Sequence, residues 1–208
     1  EALLVPEEFH FSLMKKMMEA RKDSALELKL AALMLKMPEY NEKWQKDAYE
    51  YAKNTAENKT MADSELKYEL FFKLAEFAFY YRKSPKEADN YLSMLINSNV
   101  IAPSKSKIIE AKLMSAMLNT YMSDFPKSEE ILSEVGSILE HNGSTGGLRI
   151  LEQEEFSMQQ KVELARLKAH MGQYQEALDS LKDVIENHKE GDWVNDGLEL
   201  ALNITRYS

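Results

Sequence analysis

Chain breakers constrain this sequence more than any other feature, through both their scarcity and their placement. Only 7 Gly and 5 Pro occur in 208 residues, alongside abundant Leu, Ala, Met, Lys and Glu. Long uninterrupted helices are therefore favoured over sandwiches, barrels and Gly-looped nucleotide folds. The breakers fall almost wholly between apolar-periodic stretches, and only Gly136 and Gly197 interrupt one. Val and Thr, β-branched residues that suit strands, are few beside 12 Met. The apolar share of 44% suffices for the core of one ordinary domain or two small ones.

Periodicity with start and stop signals predicts about ten helices, over 7–21, 24–37, 40–58, 64–83, 85–98, 104–123, 126–141, 148–171, 174–189 and 192–206, and no strand. Ser84-Pro85-Lys86-Glu87 reads as a capping box with proline at the first helical position. Pro38, Pro103 and Pro126 mark other breaks, Gly172 suits a left-handed helix end, and Gly191-Asp192 reads as a stop followed by an N-cap. Two kinds of helix alternate. The helices over 126–141 and 174–189 carry one apolar stripe each, whereas those over 64–83 and 104–123 are apolar on nearly all sides and need cover from several directions. A row of antiparallel pairs with the broadly apolar members sandwiched satisfies both patterns.

The segment Leu164-Ala165, Gly172-Gln173-Tyr174, Ala177, Leu181 and Val184 resembles the tetratricopeptide repeat. Trp193 and Leu198 follow Gln159 and Leu164 by one 34-residue period. Weaker echoes are Ala88, Leu92 and Leu95 after Ser84-Pro85, and Ser128, Leu132 and Val135 after Phe125-Pro126. From Ala88 to Ser128 is 40 residues and from Ser128 to Ala177 is 49, so the match is clearest over 158–206. The resemblance implies an all-α fold: an α-solenoid, or right-handed superhelix, of antiparallel helical hairpins. Residues 1–142 would hold degenerate N-terminal hairpins and 148–208 a C-terminal hairpin plus the start of a further repeat. The glycine-rich 143–147 stretch would connect them. An ordinary helical bundle is the competing architecture.

The resemblance further implies a non-enzymatic scaffold that holds a protein or peptide on the first helices of the pairs. Its groove positions fall on Gln159, Val162, Arg166 and Ala169, on Glu110, Leu113, Met117 and Thr120, and on Leu70, Lys73, Phe77 and Tyr80. Lys73 and Arg166 are the sole cations among them, fewer than a groove gripping a peptide carboxylate needs. The other readings are a structural subunit of a bacterial envelope or secretion assembly, and a helical ligand-binding or enzyme accessory domain with a pocket among Phe and Tyr side chains.

Several function classes lose support on residue chemistry alone. Net charge is −9, and residues 105–208 hold 11 basic against 18 acidic groups. Phosphate backbones are repelled, and Lys15-Lys16, Arg21-Lys22 and Arg82-Lys83 are too short and interrupted to bind them. The aromatic run Phe71, Phe72, Phe77, Phe79, Tyr80 and Tyr81 lacks interleaved cations and reads as core rather than a base-stacking platform. Met14, Met17, Met18, Met34 and Met37 likewise read as core filling. There is no Cys, so disulfides, thiol catalysis and Cys-ligated zinc are excluded. No two of His10, His141, His170 and His188 share the spacing that sets metal ligands on one helix face, and no metal or cofactor is expected. Glu152, Glu154 and Glu155 read as a solvated face. Asn142-Gly143-Ser144-Thr145-Gly146-Gly147 lacks the Lys-Ser/Thr ending of a phosphate loop. Three glycosylation-type sequons, at Asn58, Asn142 and Asn203, stand against about one expected by chance. The compartment stays open between cytoplasm and bacterial envelope. The start at Glu1 and the end inside an amphipathic pattern read as a piece of something longer.

Overall fold

The computed structural model of the chain describes residues 24–35, 42–58, 65–97, 104–145, 148–187 and 191–207, together with Lys16. The helix expected over 7–21, with His10, Met14, Met17 and Met18, lies otherwise outside the described residues, as do Met37, Gly146, Gly147 and His188. Among the described residues all regular structure is helical: α1 Ser24–Leu35, α2 Glu42–Glu57, α3 Glu65–Tyr80, α4 Pro85–Ile96, α5 Lys105–Tyr121, α6 Phe125–Thr145, α7 Ile150–His170, α8 Tyr174–Asn187 and α9 Asp192–Tyr207. No helix among them is long and apolar enough to cross a membrane.

Two compact units divide the chain, Glu1–Ala102 and Pro103–Ser208. In the first, α1 packs on α2 and α3, α2 on α3, and α3 on α4. In the second, α5 packs on α6 and α7, α6 on α7, α7 on α8 and α9, and α8 on α9. Thus α3, one of the two broadly apolar helices, packs on three neighbours, whereas α5, the other, packs on α6 and α7, and cover from several directions falls instead on α7. The connector expected at 143–147 does not coincide with the division between units. The α6 backbone stays helical through Thr145, and α6 and α7 flank this stretch within one unit.

Three hairpins, α3–α4, α5–α6 and α7–α8, turn in the same way. A left-handed residue, Lys83 (φ 55°), Ser123 (φ 64°) or Gly172 (φ 77°), stands two residues before the return helix. The next amide, of Ser84, Asp124 or Gln173, donates back to the carbonyl of Ala78, Asn119 or Lys168 at 2.8 to 2.9 Å. This ties up a helix-end acceptor that would otherwise be orphaned. The Ser84 bond spans one residue more than the other two, so the α3–α4 turn is one residue longer.

Counting from those carbonyls, each first helix places an alanine three residues earlier, Ala75, Ala116 or Ala165, and all three are fully buried. Each return helix answers with a small residue at its fourth position, Ala88, Ser128 or Ala177, also fully buried. Large apolar residues follow four and seven positions on: Leu92 and Leu95, Leu132 and Val135, Leu181 and Val184, each 5% exposed or less. Small residues bring the two backbones close, and the branched ones fill the groove beside them. In α5–α6 the contact is polar as well as tight. Ser128 Oγ lies 2.9 Å from the Ala116 carbonyl, to which it donates, and 2.8 Å from Thr120 Oγ1. The repeat seen in sequence at 84–95, 125–135 and 164–184 is therefore one packing device used three times.

Gly136 and Gly197 occupy helix crossings. A Cβ on Gly197 would meet Leu181, Val162 and Val184 at ordinary contact distance. One on Gly136 would meet Gln160 Nε2 at 2.8 Å. That amide donates to the Leu132 carbonyl (3.0 Å), bridging α7 to α6. The capping box expected at Ser84 does not form. Ser84 makes no side-chain cap, its amide donates to the Ala78 carbonyl, and the Glu87 carboxylate is taken by Tyr49 and Arg82. A related arrangement appears at Arg149, whose backbone amide and guanidinium both donate to Glu152, each at 2.9 Å.

Candidate partner-binding face

The longer α3–α4 turn shifts the register of the first helix. Aligned on the closing carbonyls Ala78, Asn119 and Lys168, the α3 positions matching Gln159, Val162, Arg166 and Ala169 are Glu69, Phe72, Glu76 and Phe79. The expected set of Lys73, Phe77 and Tyr80 stands one residue off. Phe77 aligns instead with Leu118 and Leu167, and all three are buried at 3%, 0% and 1% exposure. Its ring stacks on Tyr49 with centroids 5.7 Å apart. Tyr80 is exposed at the last position of α3 and meets Phe79 edge-on. Lys73 is half-buried, lies over the Phe72 ring and pairs with Glu76 on its own helix.

In the second unit the candidate residues sit on α5 and α7, which pack side by side. Glu110 is exposed, and Met117 and Gln159 are half-buried. Leu113, fully buried, belongs to the core with Ile109, Ala116, Leu132 and Leu167. Arg166 is half-buried and donates at 2.8 Å to Glu163 Oε1, one turn away on the same helix. Of the eight groove residues, Phe77 and Leu113 thus support the fold from within. Lys73 and Arg166, the two cations, are each held by a glutamate three residues away. The candidates that reach the surface on adjacent helices of one unit are Glu110, Met117, Gln159 and Arg166.

Glu163 is a feature that periodicity passed over. Its side chain is 4% exposed, and Oε2 is buried with no hydrogen-bond partner. Burial pushes its carboxyl up from the ordinary value; the Arg166 guanidinium opposes this and the Asp196 carboxylate on α9 adds to it. The signal in the sequence was an acid inside the apolar run Val162-Glu163-Leu164-Ala165.

A second polar cluster ties α2 to the α3–α4 turn. The Tyr49 hydroxyl donates to Glu87 Oε1 at 2.6 Å and lies 2.8 Å from the Tyr91 hydroxyl. Arg82 Nε donates to Glu87 Oε2 at 3.3 Å, and its guanidinium sits 4.3 Å above the Tyr49 ring. Burial is the main cause that raises both tyrosines above the ordinary phenol value, and Glu87 adds to it. Every hydroxyl and carboxylate oxygen in this cluster has a partner inside it, as a clamp between helices requires. No sequence pattern joins residues 49, 82, 87 and 91, because the contact is made only when the hairpin closes on α2.

Among the described residues no three His, Asp or Glu side chains converge as metal ligands would. His141 uses Nδ1 on the Ser137 carbonyl at 2.7 Å. Glu154 and Glu155 are exposed, and Glu152 is held by Arg149 well enough to lower its carboxyl below the ordinary value. Met34 packs with Leu30 and Ala48 in the core of the first unit. No protein-family model, no curated protein and no solved structure matches the chain.

Proposed function

We propose that each unit is a short right-handed stack of tetratricopeptide-like hairpins, and that the chain is a non-enzymatic scaffold binding a peptide or protein partner on the first-helix face of the second unit. The observation that carries this reading is the recurrence of one turn and one small-residue contact in three hairpins of unequal length. Packing of α7 on both α5 and α6, and of α9 on both α7 and α8, is the order in which such hairpins stack. Stacking in that order leaves α5, α7 and α9 to share a face, and that face carries Glu110, Met117, Gln159 and Arg166.

Because Arg166, the one cation among the groove residues of this face, is already paired with Glu163, a peptide carboxylate is a poor fit for it. Exposed Glu110 and half-buried Met117 and Gln159 suit an extended segment with apolar and hydrogen-bonding side chains. Pulldown with the purified chain tests the reading, with Glu110→Lys and Gln159→Lys as controls. A specific partner lost by both variants, with helicity retained, is expected. No protein or peptide partner, together with clear thermal stabilisation by a metabolite, would overturn it.

A further inference from the structure

Among the described residues, Glu163 Oε2 is the buried side-chain polar atom left without a hydrogen-bond partner. A carboxylate oxygen buried without a donor opposes folding, and its retention in a side chain only 4% exposed points to a group outside the chain. Helical spacing sets this residue at the edge of the candidate face. Gln159 and Arg166 stand four residues before it and three after, along the groove row. Gln160 and Leu167, three before and four after, mark its other side and engage the α5–α6 hairpin, at the Leu132 carbonyl and in the core around Leu132.

The carboxylate is drawn towards the groove row, because Oε1 accepts from Arg166 Nη1 at 2.8 Å. Gln159, Arg166 and neighbouring Met117 on α5 are long, half-buried side chains, so rotamer changes open a way to Oε2 without moving backbone. Charge selects what enters. Glu110 on α5 and Asp196 on α9 are exposed acids, the Asp196 charge acts on the Glu163 carboxyl, and the unit carries 11 basic against 18 acidic groups. A further carboxylate would worsen that balance, and a cation relieves it.

We propose that Glu163, assisted by Asp196, receives a lysine or arginine side chain of the peptide partner, which makes the partner a basic segment. This assignment rests on the first-helix face being the peptide site and adds the chemistry of its occupant. The incoming cation donates to Oε2 while Arg166 keeps Oε1, a charge-assisted contact that the carboxylate has the capacity to accept. The free chain then holds Glu163 against its own stability, and binding removes the conflict.

Selection of random dodecapeptides displayed on phage against the full chain, followed by fluorescence anisotropy of a synthetic binder, reads the partner chemistry. Binders that share one Lys or Arg position and are lost with Gln159→Lys are expected. Glu163→Gln should weaken the selected peptide about tenfold while raising the melting temperature of the free chain, and Asp196→Asn should weaken it about twofold to threefold. Replacing the shared basic residue of the peptide by norleucine should cost about tenfold on the parent and little on Glu163→Gln. General attraction to an acidic chain predicts instead that the two changes add, and additivity overturns the assignment. Binders lost with Gln159→Lys but sharing no basic position overturn it too, and leave the peptide face standing. If no binder is lost with Gln159→Lys, the face and the assignment fall together.

Discussion

Burial of the Glu163 carboxylate gives the second unit a pH dependence of definite sign. The folded state binds this proton more tightly than the unfolded chain does, because burial disfavours the anion more than Arg166 favours it. The group's contribution to stability is thus fully present below the ordinary glutamate value of about 4.3 and is lost as pH rises through the raised folded value. Glu163→Gln keeps an acceptor for Arg166 and removes the charge. It is expected to stabilise the chain at neutral pH by about 1 kcal/mol, with the gap closing as pH falls towards the ordinary glutamate value. Denaturant unfolding of parent and variant across that range checks it. A gap that does not change with pH would show that Oε2 tolerates its charge.

The hairpin turn is the element at which sequence and structure can be compared most directly. Gly172 announced its left-handed turn by residue type, whereas Lys83 and Ser123 adopt the same backbone region against their own preference. They do so because packing of the two helices, through buried Ala75 and Ala88 in one hairpin and the Ser128–Ala116 contact in the other, fixes where the return helix must start. Ser123→Gly is expected to stabilise the chain by about 0.5–1 kcal/mol, while Gly172→Ala destabilises it by about 1 kcal/mol. Thermal melts of the two variants, shifting in opposite directions, are the check. The return-helix stripes were legible beforehand because Leu92, Leu132 and Leu181 obey a helical period that local sequence carries. The groove register on α3 was not, since a turn one residue longer leaves no mark on periodicity, and it moved Phe77 into the core. The Glu87 cap failed for a related reason. A local rule was outcompeted by Tyr49, a residue 38 positions away, and only tertiary contact decides such a contest.

For the whole molecule, the decisive fact is that each core cluster named among the described residues draws its members from one unit. Leu30, Met34 and Ala48 cluster within Glu1–Ala102, while the clusters around Leu132 and Leu181 lie within Pro103–Ser208. Charge is divided unevenly between two units of nearly equal length. The second unit holds 11 basic and 18 acidic groups, a net −7 of the chain's −9. A fragment beginning at Pro103 contains both helices of the α5–α6 and α7–α8 hairpins and every neighbour of Glu163 named above. It is therefore expected to fold alone and to unfold cooperatively, at a size where a single core is adequate. It should also reproduce the Glu163→Gln gap and its closure in acid. Its self-repulsion is that of seven net charges with little basic relief, so added salt should raise its melting temperature. A fragment that is unfolded at low temperature, or whose pH response differs from that of the full chain, would show that residues before Pro103 complete its core.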